Sequence, residues 1–227
     1  MLTGNGLRAA MCDQGYAVCR SVVDVATLRR LRSEAAALIA DFYSGSRSGP
    51  DYWSYALEGR ATPVLYRIHR LEQQPGLSAI PQLFASGSLR MLATAALGER
   101  AYPTVCAAVV KIPGAGAPVP WHRDRDHDGV GPGQSVNVSL YLDASTISNG
   151  CLEVVPRSQG LAPGADVDTW RQGKPVAHVT AGAGDATMHD VRLVHGSGPN
   201  PGDELCIRIV TEFRAESLSP SVLLGDA

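Results

Sequence analysis

The chain has 227 residues, of which 44% are hydrophobic and 19% charged, and its net charge is −2. That is enough for one domain with a real core, or at most two small ones, in an ordinary globular protein. The weak charge and the absence of a Lys/Arg block exclude a polybasic grip on nucleic acid or an anionic membrane, and no apolar run approaches the ~18 residues of a membrane span.

Met1 to Ala10 lacks the basic flank and apolar core of a signal peptide. The five cysteines (Cys12, Cys19, Cys106, Cys151 and Cys206) are scattered and form no Cys-x-x-Cys pair. Reduced thiols in a cytoplasmic protein are therefore expected, with no disulfide framework or structural zinc.

In chain order, Asp13 to Cys19 reads as a turn entering a short strand. Asp24 is placed to cap a helix running to about Phe42, with Leu28, Leu31, Ala35, Leu38 and Ile39 at helical spacing. Ser44 to Arg60 reads as a loop rich in Gly and Ser. Its aromatics Tyr52, Trp53 and Tyr55, with Tyr43 just before it, suit a lid or substrate wall as well as anchors to the core. Thr62 to Leu71 reads as a strand with Tyr66, Ile68 and Arg70 on one face and Arg67, His69 and Leu71 on the other. Short helices are expected over 76–85 and 88–97.

From Pro103 the pattern turns to strands. Thr104 to Ile112 is β-branched and apolar, and a Gly/Ala/Pro loop, Pro113 to Pro120, follows. Gln134 to Asp143 alternates, with Val136, Val138 and Leu140 opposite Asn137, Ser139 and Tyr141. Asn149-Gly150 marks a turn, and Cys151 to Val155 is a strand closed by Pro156. Pro163 to Gly173 is irregular. Strands are expected over 175–180, 185–189 and 204–212. Helices first and many short strands after them point to a β-sandwich or jelly roll with helices packed on one side. The expected organisation is a single domain over 1–227, with a helical/strand flank at 1–102 and a jelly-roll core at 103–214.

The chemistry concentrates in Pro120 to Asp124, which reads Pro-Trp-His-Arg-Asp. Side chains alternate along a strand, so His122 and Asp124 share a face. They are two thirds of a 2-His-1-carboxylate facial triad, which suits non-haem Fe(II) and leaves positions open for O2 and a co-substrate. His195, between a strand and a Gly/Ser/Pro turn, is the best distal ligand. His127, His178 and especially His189 are its rivals. Arg208 sits in the apolar run Leu205 to Val210, where an arginine is costly unless paired. Its planar fork suits a carboxylate, either of a bound 2-oxo acid or of an internal acidic residue.

The sequence resembles the phytanoyl-CoA dioxygenase-like (PhyH) family of Fe(II)/2-oxoglutarate-dependent oxygenases over most of its length. The likeness is carried by Asp13 to Val18 with Val25 to Leu38, by Lys111 to Gly116 leading into Trp121 to Asp124, and by Ser148 to Ser158. Gly184-Asp185, His195 to Asn200 and Arg208 complete it. Two departures stand out. Gln159 replaces the histidine usual after Pro-x-Ser, and the 13 residues from His195 to Arg208 exceed the family's habit.

The resemblance implies a cupin-like double-stranded β-helix. It implies His122, Asp124 and His195 as iron ligands, and Arg208 and Ser197 on the distal carboxylate of 2-oxoglutarate. Lys111 and Asn137 would be further contacts around that co-substrate. The implied reaction consumes O2 and 2-oxoglutarate, releases succinate and CO2, and oxidises an unactivated C–H of a small metabolite, as in natural-product tailoring. The intact Asp124 favours hydroxylation, or a related oxidation, over halogenation. Tyr66, Trp121 and Arg192 are candidate substrate contacts. Arg67, Arg70, Arg123 and Arg125 are further arginines that an acidic substrate group would suit. Two alternatives stay open: a cupin-type isomerase or dioxygenase that needs no 2-oxo acid, and a non-catalytic small-molecule binder. The expected partner is a small molecule, without nucleic acid or membrane; a monomer and a homodimer are both compatible with the sequence.

Overall fold

The structure, a computed structural model, describes residues 4–114, 118–124 and 129–218. The candidates Arg125 and His127 lie outside the described residues. The chain opens on a helix the pattern did not announce, α1 (Gly4–Gln14), whose Leu7 and Met11 are buried. Gly15 then turns the backbone at φ +80° into β1 (Tyr16–Cys19). A Cβ at that position would lie 2.5 Å from Leu193 Cδ1, so glycine is required there by both conformation and space.

Helix α2 (Val25–Tyr43) begins where expected. The Asp24 carboxylate accepts from Thr27 N at 2.9 Å and from Thr27 Oγ1 at 2.7 Å. Its buried stripe is Leu31, Ala35, Leu38 and Ile39. The stretch read as a loop contains an edge strand, β2 (Tyr52–Tyr55), paired with β3 (Val64–His69). Helices α3 (Ala79–Ser86) and α4 (Ser88–Leu97) are separated by Gly87.

Strand β4 (Ala101–Lys111) is followed by β5 (Val119–His122), β6 (Ser135–Tyr141) and β7 (Leu152–Val154). A short α5 (Val167–Trp170) precedes β8 (Ala177–Val179), β9 (Ala186–Asp190), β10 (His195–Ser197) and β11 (Cys206–Ala215).

The strands form two antiparallel sheets. One has seven strands in the order β1-β9-β6-β11-β4-β3-β2, and the other has four in the order β5-β10-β7-β8. This is the mainly antiparallel jelly roll with flanking helices that the element order predicts. Central strand β6 shows why the site lies where it does. All seven of its residues are buried because both faces are covered. Val136, Val138 and Leu140 join Leu31, Leu38, Leu89, Met188, Ile207 and Ile209 in the core beneath the helices. Asn137, Ser139 and Tyr141 face the other way and line a cavity toward the smaller sheet.

One register detail departs from simple alternation. Trp53 pairs with Arg67 and the next residue, Ser54, pairs with Leu65, so Tyr66 is an extra residue in β3. Such a bulge re-aims side chains. Tyr66 and Arg67, expected on opposite faces, both line the cavity. Tyr52 turns inward and stacks on Phe42, with centroids 5.9 Å apart. Trp53 and Tyr55 instead lie beside Tyr66, at 6.3 and 6.0 Å.

Two α2 side chains fasten α3: Arg30 donates to Gln82 Oε1 at 2.9 Å, and Glu34 binds the start of the helix. Glu34 accepts from Ser78 N and Oγ, Ala79 N and Ile80 N at 2.7–3.0 Å, which satisfies the free amides at the start of α3. Burial pushes its carboxyl up, but these donors outweigh that and hold it below the usual glutamate range. Glu34→Ala is expected to cost about 1–2 kcal/mol in urea unfolding at pH 7, from the donors left unmatched. Because the folded-state pKa is depressed, the Glu34 contribution is present above the unfolded value of about 4.3 and fades as pH falls through the lower folded value. The gap between wild type and variant should therefore narrow below about pH 4.

Candidate metal centre

Antiparallel pairing of β5 and β10 places His195 directly opposite His122, and their ring centroids are 4.3 Å apart. Strand β5 ends at His122. Asp124 is carried just past it by the bond from its own N–H to Val191 O at 2.9 Å. Arg123 between them turns away, and its guanidinium donates to Leu161 O and Ala162 O at 2.7 and 2.8 Å. Asp124 Oδ1 is 3.3 Å from His122 Nε2, and Oδ2 is 3.6 Å from His195 Nε2. Among the described residues, His122, Asp124 and His195 are the group whose ligand atoms all lie within 4.8 Å of one another.

Both histidines are held with one ring nitrogen directed toward the centre. His122 Nδ1 lies 2.7 Å from Pro120 O, and His195 Nδ1 lies 2.8 Å from Leu193 O. A carbonyl only accepts, so Nδ1 of each ring carries the proton and each Nε2 presents a lone pair. Burial pushes the His195 pKa down to about 3, so the ring is neutral around pH 7. For His122 burial also pulls down, but the Asp124 carboxylate outweighs it and the pKa is raised. Burial raises Asp124; the facing histidines reverse this and hold it well below the carboxylate range. The Asp124 side chain is 27% exposed and the His122 side chain 38%, so the centre opens on that side.

The second carboxylate oxygen has its own holder. Asn137 Nδ2 donates to Asp124 Oδ2 at 2.7 Å, and His189 Nε2 lies 3.5 Å from the same atom. His189, the strongest rival for the distal ligand, thus stands behind the carboxylate. Its ring centroid is 4.4 Å from that of His195. Asn137, expected around the co-substrate, lines the cavity but spends its amide on Asp124. His178 is remote, paired with Glu153 at 3.3 Å on the smaller sheet.

The cavity above these residues has a volume of about 140 Å³. Ser197 and Arg208 line it together. Ser197 Oγ and Arg208 Nε are both buried without a hydrogen-bond partner among the described residues. Arg67 lines the same space, and its Nε is equally unmatched. Alternation sets Arg67 opposite the core residue Ile68 and so toward the cavity, but does not separate it from the chain's other arginines.

Three expected contacts fall elsewhere. Lys111 does not line this cavity; its Nζ donates to Gly198 O. Burial, then the nearby Arg208 charge, pulls its pKa down to about 8. Trp121 alternates away from His122 and packs against Gly196, with the Arg171 guanidinium 5.0 Å over its ring. Arg192 is not among the residues that line this cavity. It donates to Gln159 O, Val130 O and Leu161 O at 2.8–3.3 Å and ties loops together. Tyr66 does line the cavity, and with Tyr55, Pro118, Val119 and Pro120 it also lines an adjoining depression of about 320 Å³.

The most distinctive motif segments have structural tasks. Ser158 Oγ accepts from Val194 N at 2.7 Å and so fixes the residue before His195. Gly150 adopts φ +77°, and a Cβ there would lie 2.4 Å from Gly198 O. The long His195–Arg208 interval is taken up by a loop pinned through Asn200. Asn200 Nδ2 donates to Lys111 O and Glu204 O, and its Oδ1 accepts from Gly202 N. Gln159, standing where a histidine is usual, donates to Cys12 O at 3.2 Å and touches no metal-site residue.

A two-sheet jelly roll with a His/Asp/His centre between its sheets defines a metal-binding class. Residues 11–210 match the Phytanoyl-CoA dioxygenase (PhyH) family, and the chain belongs to it. It is 29% identical over 117 residues to dioxygenase lolE1 of Epichloe uncinata, covering 49% of this chain and 45% of that protein. It is 42% identical over 67 residues to L-proline trans-4-hydroxylase of Streptomyces griseoviridis, covering 28% and 24%. The matched stretches thus span less than half of either relative. Among solved structures, AviO1 from Streptomyces viridochromogenes Tue57 superposes with a TM-score of 0.90 at 38% identity, covering 97% of this chain and 99% of that one. EctD from S. alaskensis, solved with 2-oxoglutarate and 5-hydroxyectoine, shares the fold, with a TM-score of 0.77 at 21% identity over 92% of this chain and 75% of that one.

Asn137→Ala is expected to weaken Fe(II) or Mn(II) binding about 10- to 100-fold while leaving the fold intact, since it frees the ligating carboxylate to rotate. Metal titration alongside thermal unfolding checks this.

Proposed function

We propose that the protein is an Fe(II)/2-oxoglutarate-dependent oxygenase that oxidises an unactivated C–H of a small metabolite. The observation that carries this reading is the meeting of two orphaned carboxylate-binding groups with three metal-ligand side chains in one cavity. The donor set fits Fe(II): two imidazole nitrogens and one carboxylate oxygen on one side, with the remaining positions open. Bound iron would supply O2 activation coupled to decarboxylation of the 2-oxo acid to succinate and CO2.

The chain's own residues do the rest. His122 and His195 present fixed Nε2 lone pairs, and Asn137 leaves Asp124 Oδ1 free by holding Oδ2. Arg208 and Ser197 take the distal carboxylate, whose charge and lone pairs match their unmatched donors. Val109 and Val210, both lining the cavity, give the co-substrate chain an apolar bed and exclude water. The inner cavity is small, so the bulk of an organic substrate sits in the depression walled by Tyr55, Tyr66 and Val119. The carboxylate of Asp124 fills the position that a halide would need, which favours hydroxyl transfer. The matched L-proline trans-4-hydroxylase, a hydroxylase of a small metabolite, supports the same substrate scale.

The test is succinate formation from 2-oxoglutarate with Fe(II) and O2 across a metabolite library. Chelation should abolish turnover and Fe(II) should restore it. Asp124→Ala and His195→Ala should each lose it; full turnover in either would reject the ligand assignment. Arg208→Gln should raise the 2-oxoglutarate KM about 10- to 100-fold, the cost of removing a charged hydrogen-bond partner, with a much smaller change in the KM of the organic substrate.

A further inference from the structure

Arg67 and Arg208 lie in one lateral row across the larger sheet. Arg67 is opposite Val109 on β4, and Val109 is opposite Arg208 on β11. Two strand spacings separate the arginines, about 9–10 Å at the backbone. Both side chains enter the metal cavity, and both carry a buried Nε with no partner among the described residues. Asp124 is the sole carboxylate among the described lining residues, and its oxygens already face His122, His195 and Asn137. Burial and the charge of Arg208 both disfavour the charged form of Arg67, while Asp124 favours it.

Given the co-substrate reading above, on which this inference rests, the charges can be counted. A divalent metal is neutralised by Asp124 and the head carboxylate of 2-oxoglutarate. Arg208 is neutralised by the distal carboxylate. The Arg67 guanidinium is left over in a desolvated space, where an unpaired charge is costly. We infer that Arg67 is a second anion receptor of this cavity, taking a carboxylate or comparable oxyanion on the Tyr66 side, away from Arg208. The charge count favours an acid function of the organic substrate; the head carboxylate of the co-substrate, already set against the metal, is the other source of the same group. The chemistry recognised is the same, a planar fork on an oxyanion.

The experiment uses wild type, Arg67→Gln, Arg67→Lys and Arg208→Gln, each checked for an unchanged melting temperature. The anaerobic Fe(II) proteins are titrated with 2-oxoglutarate and with 2-oxopentanoate, which keeps the 2-oxo acid head but lacks the distal carboxylate. The readout is the visible charge-transfer band of the Fe(II)–2-oxo acid chelate. Calorimetry then follows inorganic sulfate binding to each protein with and without 2-oxoglutarate.

If Arg67 holds the head carboxylate, Arg67→Gln weakens both oxo acids alike, about 10- to 100-fold, whereas Arg208→Gln weakens only 2-oxoglutarate. If Arg67 awaits a substrate acid, both oxo acids bind Arg67→Gln as they bind wild type. Sulfate then binds the loaded wild type and not Arg67→Gln, and Arg67→Lys regains part of the loss. Arg67→Gln matching wild type in every titration overturns the inference. So does equal failure of the Gln and Lys variants together with a lowered melting temperature, which marks a structural role. A wild type that develops no band with 2-oxoglutarate rejects the oxygenase reading instead, and the sulfate arm without oxo acid still decides Arg67.

Discussion

The centre depends on one cross-strand register, His195 opposite His122. Side-chain direction in a sheet has period two, so a slip of one residue would turn one imidazole out of the cavity. Strand β10 is only three residues long and cannot hold that register by its own ladder. Neighbouring contacts hold it instead. Val194 N is bound by Ser158 Oγ, and Val155 N reaches Val194 O at 2.9 Å. On the other side Gly196 leaves room for Trp121, since any Cβ there would come within 3.3 Å of the indole. Residues that touch no metal or co-substrate thereby decide whether the ligand set exists.

The same dependence on register divides what is legible in the sequence from what is hidden. The alternation of β6 and the His-x-Asp spacing report which side chains share a face, so the amino-acid pattern alone assigns Asn137, Tyr141, His122 and Asp124 to theirs. Helix α2 is legible because its cap and stripe are local. Strand β2 is hidden because an edge strand rich in Ser and aromatics has no apolar alternation to display. The inward turn of Tyr66 is hidden for a sharper reason. Alternation sets Tyr66 and Arg67 on opposite faces, and only the pairing of Ser54 with Leu65 reveals the extra residue. Arg192 misleads in the opposite direction. A buried cation can be satisfied by backbone carbonyls, and which carbonyls stand near it is a tertiary fact.

Two groups of polar side chains among the described residues contrast with each other. Arg123, Arg192, Asn200 and Glu34 are matched by backbone donors or acceptors, and they act as rivets between loops and helices. Arg67, Arg208 and Ser197 are buried around the cavity with unmatched atoms. Leaving a donor unmatched costs stability, roughly 1–3 kcal/mol per group. Their clustering on one cavity, beside His122, Asp124 and His195, is what separates a ligand site from packing defects scattered through a core.

The carboxylate of Asp124 joins these two kinds. One oxygen is held from behind by Asn137, with His189 alongside; the other faces the open side of the cavity with His122. Without metal, the facing histidines stabilise its charge together with the Asn137 amide, and the carboxylate in turn draws His122 toward protonation. A divalent metal replaces that weak attraction with a stronger one and takes the same Nε2 lone pairs. Metal binding therefore competes with a proton on His122, while His195, kept neutral by burial, offers its lone pair without such competition. On the proposed ligand set, the more exposed histidine would set the acid limit of metal loading, and the buried one would fix where the metal sits.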